Sequence, residues 1–503
     1  MHIQDRRDRA RLVPLIAPLI VLALSALLAG CATGARPPVG EPADLAIVNV
    51  NVVDVRQGRV LPDQTVVISE GKIERVAPSN GRQGELALET LDGAGAYLIP
   101  GLWDLHAHLR GNGMPAWIST DWLMPLLLAH GVTGVRDMNS DCDGPKQGPV
   151  CLDQMREWQA RIEAGDLLGP RLLALSTWQV NPPWDYQMTE EQARGVVRMF
   201  KEQGVDLIKI YTRLSPEAFE WIMDEARKLD LDAGGHIPLR VTATEASDAG
   251  FRSVEHARDF LFDCFPGSAD FRRTARSQDP PMDVMRSMVK DHDPKVCEEV
   301  FRTFVRNGTW YVPTHVTRRM DAFAGDLAFR NDPRSRYIPP ALMQDWIRDA
   351  DRVVAIDPSP EGRQAFMDFY RKGLEITGAA HRAGVRIAVG TDGGDSFVFP
   401  GSGVHDEMGE LVAAGLSPAE ALRAATWNGA ELLGLTDLYG SVEAGKRADL
   451  VLLSKNPLDD IGNVKEIQAV IFGGRPLDRD RLDELLRQAE STANKPLSPP
   501  TSP

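Results

Sequence analysis

The chain has 503 residues, of which 43% are hydrophobic and 25% are charged. These fractions lie near the averages of globular proteins and exclude a fibrous or wholly disordered chain. The length exceeds that of a usual single core, so we expect one large α/β barrel with an accessory domain, or two or three ordinary domains. The net charge of −15 repels phosphate backbones and argues against nucleic acid as a partner.

The first 30 residues have the features of an export signal. Four arginines within the first eleven residues precede the apolar run LVPLIAPLIVLALSALLAG. The end of this run and the next residue form LAGC at residues 28–31. This pattern predicts a signal peptide over residues 1–30. An uncleaved membrane anchor is the alternative, because the run is nearly long enough to span a bilayer. In both cases the remainder of the chain faces an exported, oxidising compartment.

The LAGC segment resembles the bacterial lipobox. This resemblance implies cleavage before Cys31 and a diacylglycerol on the Cys31 sulfur, which makes the membrane a partner through a lipid anchor. Ala32, rather than Asp, follows the cysteine. By the same resemblance, this favours the outer membrane, with the protein facing the periplasm.

Four further cysteines are available for disulfide bonds: Cys142, Cys151, Cys264 and Cys297. An even number fits an exported protein, and three pairings are open. Cys142 and Cys151 flank a Gly/Pro-rich loop, so we favour a local bridge there, which leaves Cys264 with Cys297. Four free thiols are the alternative.

Two strand-rich regions lie near the ends of the chain. After a Pro/Gly-rich linker over residues 31–43, residues 44–97 alternate apolar and polar side chains in segments such as LAIVNVNVVDV, as short strands do. A similar pattern covers residues 437–480. We expect the two regions to form one small β-sandwich. Residues 481–503 are expected to form a C-terminal helix and a disordered tail.

Short apolar runs alternate with helical patterns over residues 98–436, as in βαβ units. Eight units predict a (β/α)8 TIM barrel, whose active site lies at the C-terminal ends of its strands. The long segments 260–307 and 318–371 are then insertions near that face. In order, the eight candidate strands are LIPGLWDLHAHL, VTGVRDM, PRLLALS, VDLIKIYT, DAGGHI, RSVEHA, TWYVPTH and RIAVGTD.

Residues suited to metal binding stand at the ends of five of these strands. Alternate residues of a strand share a face, so His106 and His108 point the same way, which suits one ion. Two histidines on a solvated strand are the alternative for this pair alone. Nitrogen and oxygen ligands without thiolate fit zinc, with manganese, cobalt or iron as alternatives. The full set is His106, His108, Lys209, His236, His256 and Asp392.

The chain resembles the amidohydrolase superfamily, closest to its binuclear prolidase-like and imidazolonepropionase-like branches, over about residues 44–480. The motifs that carry the resemblance are GLWDLHAHL, VDLIKIY, GGHIP, SVEHA, VGTDGG, ATWNGAELLGL and GSVEAGKRADLVLL. It implies two divalent ions, a β-sandwich built from both chain ends and a carboxylated Lys209. By the same resemblance, His106, His108 and Asp392 hold the first ion, His236 and His256 hold the second, and Lys209 bridges them.

An unmodified Lys209 would be a poor ligand, because a protonated ammonium repels cations and has no lone pair. Reaction with carbon dioxide gives a carbamate with two oxygens. A lysine that merely extends toward solvent from a strand end is the alternative. The resemblance implies that a hydroxide shared by the ions attacks, since coordination lowers the pKa of water from 15.7 to about 7. Asp392 would take its proton and deliver it to the leaving amine.

We therefore expect an exported hydrolase of C–N amide bonds, acting on a dipeptide such as Xaa-Pro or on an N-acyl amino acid. A cyclic amidase, lactonase or ester hydrolase could use the same site. A non-catalytic ligand-binding barrel is an alternative of another class. A monomer and a homo-oligomer are both compatible with the sequence.

Two further residues near the ends of the strands are candidates for contact with the substrate. Tyr211, on the same strand face as Lys209, and His315, after the seventh strand, could contact substrate, although ordinary packing is the alternative for both. Arg213 and His405 are weaker candidates. The remaining histidines in helical patterns, His130 and His381, are expected to be structural.

Overall fold

The computed structural model describes residues 43–79, 87–109, 118–140, 150–176, 178–184 and 186–495. The expected signal peptide, Cys31, Cys142 and the expected disordered tail beyond residue 495 lie outside these residues, and the side chain of Cys151 is not described either. The Cys142–Cys151 bridge therefore stays a prediction. Among the helices of the described ranges, none is both long enough and apolar enough to span a bilayer.

An eight-stranded sheet joins the two ends of the described chain. The order of hydrogen-bonded neighbours is β16-β15-β14-β5-β1-β2-β3, and β4 pairs with β1. The ends meet where β5 and β14 run antiparallel, with Pro100 opposite Leu450. The strands are β1 (Ala43–Asp54), β2 (Arg59–Ser69), β3 (Lys72–Pro78), β4 (Ala87–Asp92), β5 (Tyr97–Pro100), β14 (Leu450–Leu453), β15 (Ile467–Phe472) and β16 (Arg475–Leu477).

The alternating apolar residues of this sheet share one core. Leu45 and Ile47 of β1 pack in the same cluster as Leu450 and Leu452 of β14 and Ile471 of β15. Strands from both ends of the described chain therefore supply one core. The small β-domain predicted from both chain ends is therefore present.

Eight parallel strands form the larger body. They pair in the order β6-β7-β8 and β9-β10-β11-β12-β13. Two joins close the ring: Val180 N donates to Lys209 O (2.8 Å) between β8 and β9, and Leu105 N donates to Val389 O (3.0 Å) beside β13. The predicted (β/α)8 barrel is confirmed. Its strands are β6 (Leu102–Ala107), β7 (Val132–Asp137), β8 (Arg171–Leu175), β9 (Leu207–Ile210), β10 (Asp232–Gly235), β11 (Ser253–Glu255), β12 (Trp310–Val312) and β13 (Arg386–Ile387).

At least one helix follows each barrel strand, as a right-handed βαβ crossover requires. After β6 to β10 come a π-helical turn (Ile118–Leu123) with α1 (Met124–Ala129), then α2 (Val150–Ala164), α3 (Glu190–Gln203), α4 (Pro216–Lys228) and α5 (Ala243–Asp248). After β13 come α14 (Ser402–Ala413), α15 (Pro418–Ala424) and α16 (Trp427–Leu432), and α17 (Arg479–Ala493) lies near the end of the described chain. Two short 3-10 turns cover Pro333–Tyr337 and Ile461–Lys465.

The two predicted insertions are helical. The first, after β11, contains α6 (Arg258–Asp263), α7 (Ser268–Thr274), α8 (Met282–Lys290) and α9 (Pro294–Asn307). A disulfide bond joins Cys264, at the end of α6, to Cys297 of α9. The second, after β12, contains α10 (His315–Phe323), α11 (Leu327–Arg330), α12 (Pro340–Ile356) and α13 (Pro360–Arg382).

Candidate metal centre

A cavity of about 900 Å³ opens at the C-terminal ends of the barrel strands. His106 lies one residue before the end of β6, Lys209 lies in β9, and His236 and His256 directly follow β10 and β11. Asp392 comes five residues after β13 and returns to β6, where its N–H donates to His106 O at 2.8 Å. The strand ends therefore place all these side chains at one face of the barrel.

His106, His108 and Asp392 form the tightest group. One ligand atom from each lies within 4.8 Å of the others. His108 Nε2 lies 2.8 Å from Asp392 Oδ1, and His106 Nε2 lies 3.6 Å from the same oxygen. His108 Nδ1 is 2.8 Å from the carbonyl oxygen of Asn139, which directs Nε2 toward the carboxylate.

The three other predicted ligands adjoin this group. Lys209 Nζ lies 3.1 Å from His106 Nε2. The His256 ring stands between two others, with centroid distances of 4.8 Å to His106 and 4.1 Å to His236. The structure therefore brings all six predicted ligands into one cluster.

Two imidazole nitrogens of this cluster are suited to metal binding. His236 Nδ1 and His256 Nε2 are buried and lack a hydrogen-bond partner among the described residues, although buried polar atoms are normally satisfied. Burial, together with neighbouring positive charge, holds the pKa of both rings well below the usual range, so both are neutral. His256 Nδ1 lies 2.9 Å from Thr314 Oγ1, which leaves Nε2 as the lone-pair nitrogen. Neutral imidazoles with free lone pairs fit divalent ions.

The electrostatics around Asp392 favour its carboxylate form. Burial alone would raise its pKa, but His106 and His108 hold that pKa far below the usual range. Burial likewise lowers the pKa of His108, yet the hydrogen bond to Asp392 outweighs it and raises the pKa to about 9. Burial lowers the pKa of His106 to about 4 and that of Lys209 to about 8.

A buried ion pair, which the sequence pattern does not predict, lies beneath the cluster. Glu255 Oε2 lies 3.0 Å from His106 Nδ1, and Arg136 Nη2 donates to Glu255 Oε1 at 2.8 Å. Burial would raise the pKa of Glu255, but Arg136 and His106 hold it at about 2. Glu255 therefore fixes the His106 ring with Nε2 toward the cavity. The only sequence signal was its position directly before His256 in SVEHA.

We expect Glu255→Gln to lower zinc affinity by about 10- to 100-fold, because a neutral amide orients and polarises His106 less well. The variant also leaves Arg136 buried without its counter-charge, which lowers the free energy of unfolding by about 3–5 kcal/mol. Competition with a chelating dye and urea denaturation measure the two effects. The double variant Glu255→Gln/Arg136→Met should regain stability but not affinity. Unchanged affinity in the single variant would contradict the assigned role.

A second carboxylate, Asp104, ties strand β6 to the loop that carries Asp392. It accepts hydrogen bonds from the backbone N–H of His106 (3.1 Å) and of Thr391 (2.9 Å) and from Thr391 Oγ1 (2.6 Å). Close approach also requires a glycine, since a Cβ on Gly390 would lie 2.7 Å from the Cβ of His106. Asp392 itself has a φ of 63°, a conformation that such contacts must stabilise.

Of the candidate substrate residues, Tyr211 lines the cavity, and its ring centroid lies 4.0 Å from that of His236. Burial raises the pKa of its hydroxyl, so the group stays a hydrogen-bond donor. His315 is not brought to the cavity: it is fully buried, and its Nε2 lies 2.8 Å from Thr377 Oγ1. Arg213 donates through Nε to Asn181 Oδ1 at 2.9 Å.

The other singled-out histidines lie apart from the cluster. His405 and His130 line a separate cavity of about 280 Å³, where His405 Nε2 is 2.8 Å from the His130 carbonyl oxygen. His381 pairs with Glu420 at 3.0 Å. None of the three contacts the six ligands among the described interactions.

Glu407 of α14 is a fully buried carboxylate that accepts the Val316 N–H at 2.9 Å, and burial raises its pKa from 4.5 to about 8. Between these pH values the folded protein holds a proton that the unfolded chain releases, so its contribution to stability falls as pH rises. The glutamine variant lacks this proton. We therefore expect the free energy of unfolding of wild type to fall by about 3–5 kcal/mol relative to that of Glu407→Gln between pH 5 and pH 9. Urea denaturation at several pH values measures this difference, and a pH-independent difference would contradict it.

Comparisons with known proteins agree with this fold. The model of the Amidohydrolase family matches residues 97–477. Ochratoxinase from Aspergillus niger is 24% identical over 424 residues, which cover 74% of this chain and 73% of that protein. The structure of bottromycin amidohydrolase is 24% identical with a TM-score of 0.69, covering 90% of this chain and 92% of that one.

A Bifidobacterium longum protein assigned as a prolidase is 26% identical with a TM-score of 0.62, over 89% of this chain and 99% of that one. The barrel strands, the ligand cluster and strands β5 and β14 to β16 of the β-domain lie within the segment that the family model matches, whereas β1 to β4 precede it. The chain belongs to the amidohydrolase family.

Proposed function

We propose that this hydrolase of the amidohydrolase family uses two divalent ions to cleave the C–N amide bond of a small molecule, either a dipeptide such as Xaa-Pro or an N-acyl amino acid. The family match and the similarity to ochratoxinase, bottromycin amidohydrolase and an assigned prolidase support hydrolysis of C–N bonds. The observation that carries the proposal is the convergence of six ligands, five of which line the cavity, with His236 Nδ1 and His256 Nε2 unpartnered among the described residues.

The donor set suits zinc, because it combines imidazole nitrogen with carboxylate oxygen and contains no thiolate. Lys209 Nζ lies among the imidazoles, and its carboxylation would turn a repelled cation into a bridging anion. When bound, two such ions supply a water of lowered pKa and a Lewis acid for the scissile carbonyl. In this proposal His106, His108 and Asp392 would hold one ion, His236 and His256 would hold the other, and the Lys209 carbamate would complete the ligand set.

Asp392 moves the proton in this proposal. Its carboxylate borders the cavity, and the surrounding imidazoles keep it ionised, so it can accept a proton from the attacking water. The same group then donates that proton to the leaving amine. The Tyr211 hydroxyl stays protonated and is placed to donate to a substrate carbonyl or carboxylate.

Metal analysis of the purified protein, combined with a substrate panel, tests the proposal. The panel contains Xaa-Pro dipeptides, N-acyl amino acids, cyclic amides, lactones and esters. We expect two ions per chain and turnover of a dipeptide or an N-acyl amino acid. Turnover of lactones, esters or cyclic amides alone would assign one of those activities instead. A metal-free protein whose activity survives chelation would favour a ligand-binding barrel and overturn the proposal.

We also propose that the protein is anchored to the outer membrane by a lipid. Removal of residues 1–30 would leave Cys31 at the N-terminus, lipid-modified and followed by the Pro/Gly-rich linker, so that the barrel faces the periplasm from the outer membrane. Labelled palmitate should enter the wild-type protein in a bacterial host and be absent from Cys31→Ser. Equal labelling of both proteins would contradict the anchor.

A further inference from the structure

The two insertions contribute an apolar wall to the cavity that holds the metal ligands. Met285 of α8, Leu342 and Val353 of α12, and Phe366 and Phe369 of α13 line it, and all belong to the two insertions. Met285 and Phe369 are only 4% and 6% exposed, so their side chains are anchored in the core. The insertions therefore supply a firm hydrophobic surface to the same cavity, beside polar side chains such as Asp349 and Arg352.

The size of the cavity suits more than a dipeptide. Its volume of about 900 Å³ lies near the upper end of the range that holds drug-sized ligands. A small dipeptide would leave the apolar wall in contact with water, which forfeits the hydrophobic contribution of that surface. The cavity instead matches a ligand with a large apolar part.

One cation of the cavity lacks a strong partner. Arg258 is 6% exposed, and its polar contacts to described residues are long. Its guanidinium donates to Gln278 at 3.3 Å and to Asp279 at 3.4 Å, and Nη2 lies 3.5 Å from His236 Nε2, which carries the ring proton when Nδ1 keeps the lone pair. The Asp279 side chain is itself 73% exposed, which weakens its compensation of a buried charge.

A buried guanidinium normally makes short bonds to an anion. The other arginine deep in the cavity shows the difference, since Arg318 donates to Asp321 at 2.7 Å. Arg258 therefore remains available to an anionic group of a ligand that lies beside the metal cluster.

We propose that the substrate is an N-acyl amino acid with a large apolar acyl group. Its free carboxylate binds Arg258, its amide lies at the metal cluster, and its acyl group packs on the wall formed by α8, α12 and α13. Water adds to the amide carbonyl, the C–N bond breaks, and the amine takes the proton, which yields a carboxylic acid and a free amino acid. This inference rests on the proposed amide hydrolysis and selects N-acyl amino acids over small Xaa-Pro dipeptides.

A chain-length series with the metal-loaded protein tests the inference. The substrates are N-acetyl-, N-octanoyl- and N-dodecanoylglycine, with Ala-Pro as the small dipeptide. We expect kcat/KM to rise at least about 100-fold from acetyl to dodecanoyl, since each fully buried methylene is worth about fourfold. Inhibition by N-ethylglycine and N-dodecylglycine, which have no amide bond, should show the same order without turnover. A flat series with intact amide hydrolysis overturns the inference alone, whereas no hydrolysis of any amide removes the proposed function.

Narrowing the apolar wall gives a matched pair of variants on α12. Val353→Trp places a large ring in the cavity, while Ile347→Trp places it on the outside of the same helix, where Ile347 is 39% exposed. We expect Val353→Trp to raise KM for N-dodecanoylglycine by about tenfold or more without raising it for N-acetylglycine. Equal effects on both substrates, or an equal effect of Ile347→Trp, would overturn the assigned wall.

The role of Arg258 is tested by a ratio that does not depend on overall activity. Wild-type protein should prefer N-dodecanoylglycine over its carboxamide by about 100-fold in kcat/KM, as a buried charge-assisted contact requires. In Arg258→Gln this preference should fall to a few-fold while the metal content stays unchanged. A preference retained in the variant, or absent from wild type, would overturn the carboxylate site.

Discussion

Asp392→Asn is expected to lower kcat by about 10²- to 10⁴-fold, the range that a positioned acid–base group contributes. The amide keeps an oxygen 2.8 Å from His108 Nε2 but cannot accept and return a proton. Steady-state kinetics and metal content measured on the same sample separate loss of proton transfer from loss of an ion. Asp459→Asn, at an exposed loop carboxylate of the β-domain, controls for the substitution itself.

Normal turnover in this variant would contradict proton transfer by Asp392. If Asp392→Asn binds two ions and turns over normally, another group moves the proton. A variant that loses its metal as well as its activity is reloaded with excess zinc before the rate is compared.

Removal of metal is expected to abolish hydrolysis, and recovery is expected to need both zinc and carbon dioxide. Lys209 must carry a carbamate before it can serve as a ligand, because its free ammonium lies beside His106 and repels cations. Metal binding also stabilises the folded state by about 2.7 kcal/mol at a free concentration of 100 times Kd, so the stripped protein should melt earlier.

The carbamate on Lys209 can be detected directly by NMR. After reconstitution in 13C-bicarbonate, a carbamate carbon signal should be visible by NMR in wild type and absent from Lys209→Met. Full recovery with zinc in buffer free of carbon dioxide would contradict a carboxylated lysine.

The ligand cluster could be predicted from the sequence because the barrel imposes the geometry. His108 and Asp392 are 284 residues apart, yet each follows an apolar run. The C-terminal ends of parallel strands meet at one face of a barrel. Residues at those ends can therefore be predicted to converge from the sequence, which contains no distances between them.

The supporting groups could not be predicted in the same way. Arg136 lies in a strand 119 residues before Glu255, and a charged residue in a strand usually faces solvent. Only the closed barrel shows that Arg136 and Glu255 neutralise each other beneath His106.

His315 is a residue that the sequence suggested for the cavity and the structure places elsewhere. Strand β12 ends at Val312, and Thr314 takes a φ of 45°. This turn into α10 directs His315 toward α13 and away from the cavity.

The β5–β14 ladder constrains the order in which the molecule is completed. Pro100 lies at the entrance to the barrel, and its partner Leu450 lies beyond the last barrel helix. Until Leu450 emerges during synthesis, β5 presents an open sheet edge, which is prone to pairing with other chains. Because β14 follows the barrel in the sequence, the β-domain can be completed only after the whole barrel has been synthesised.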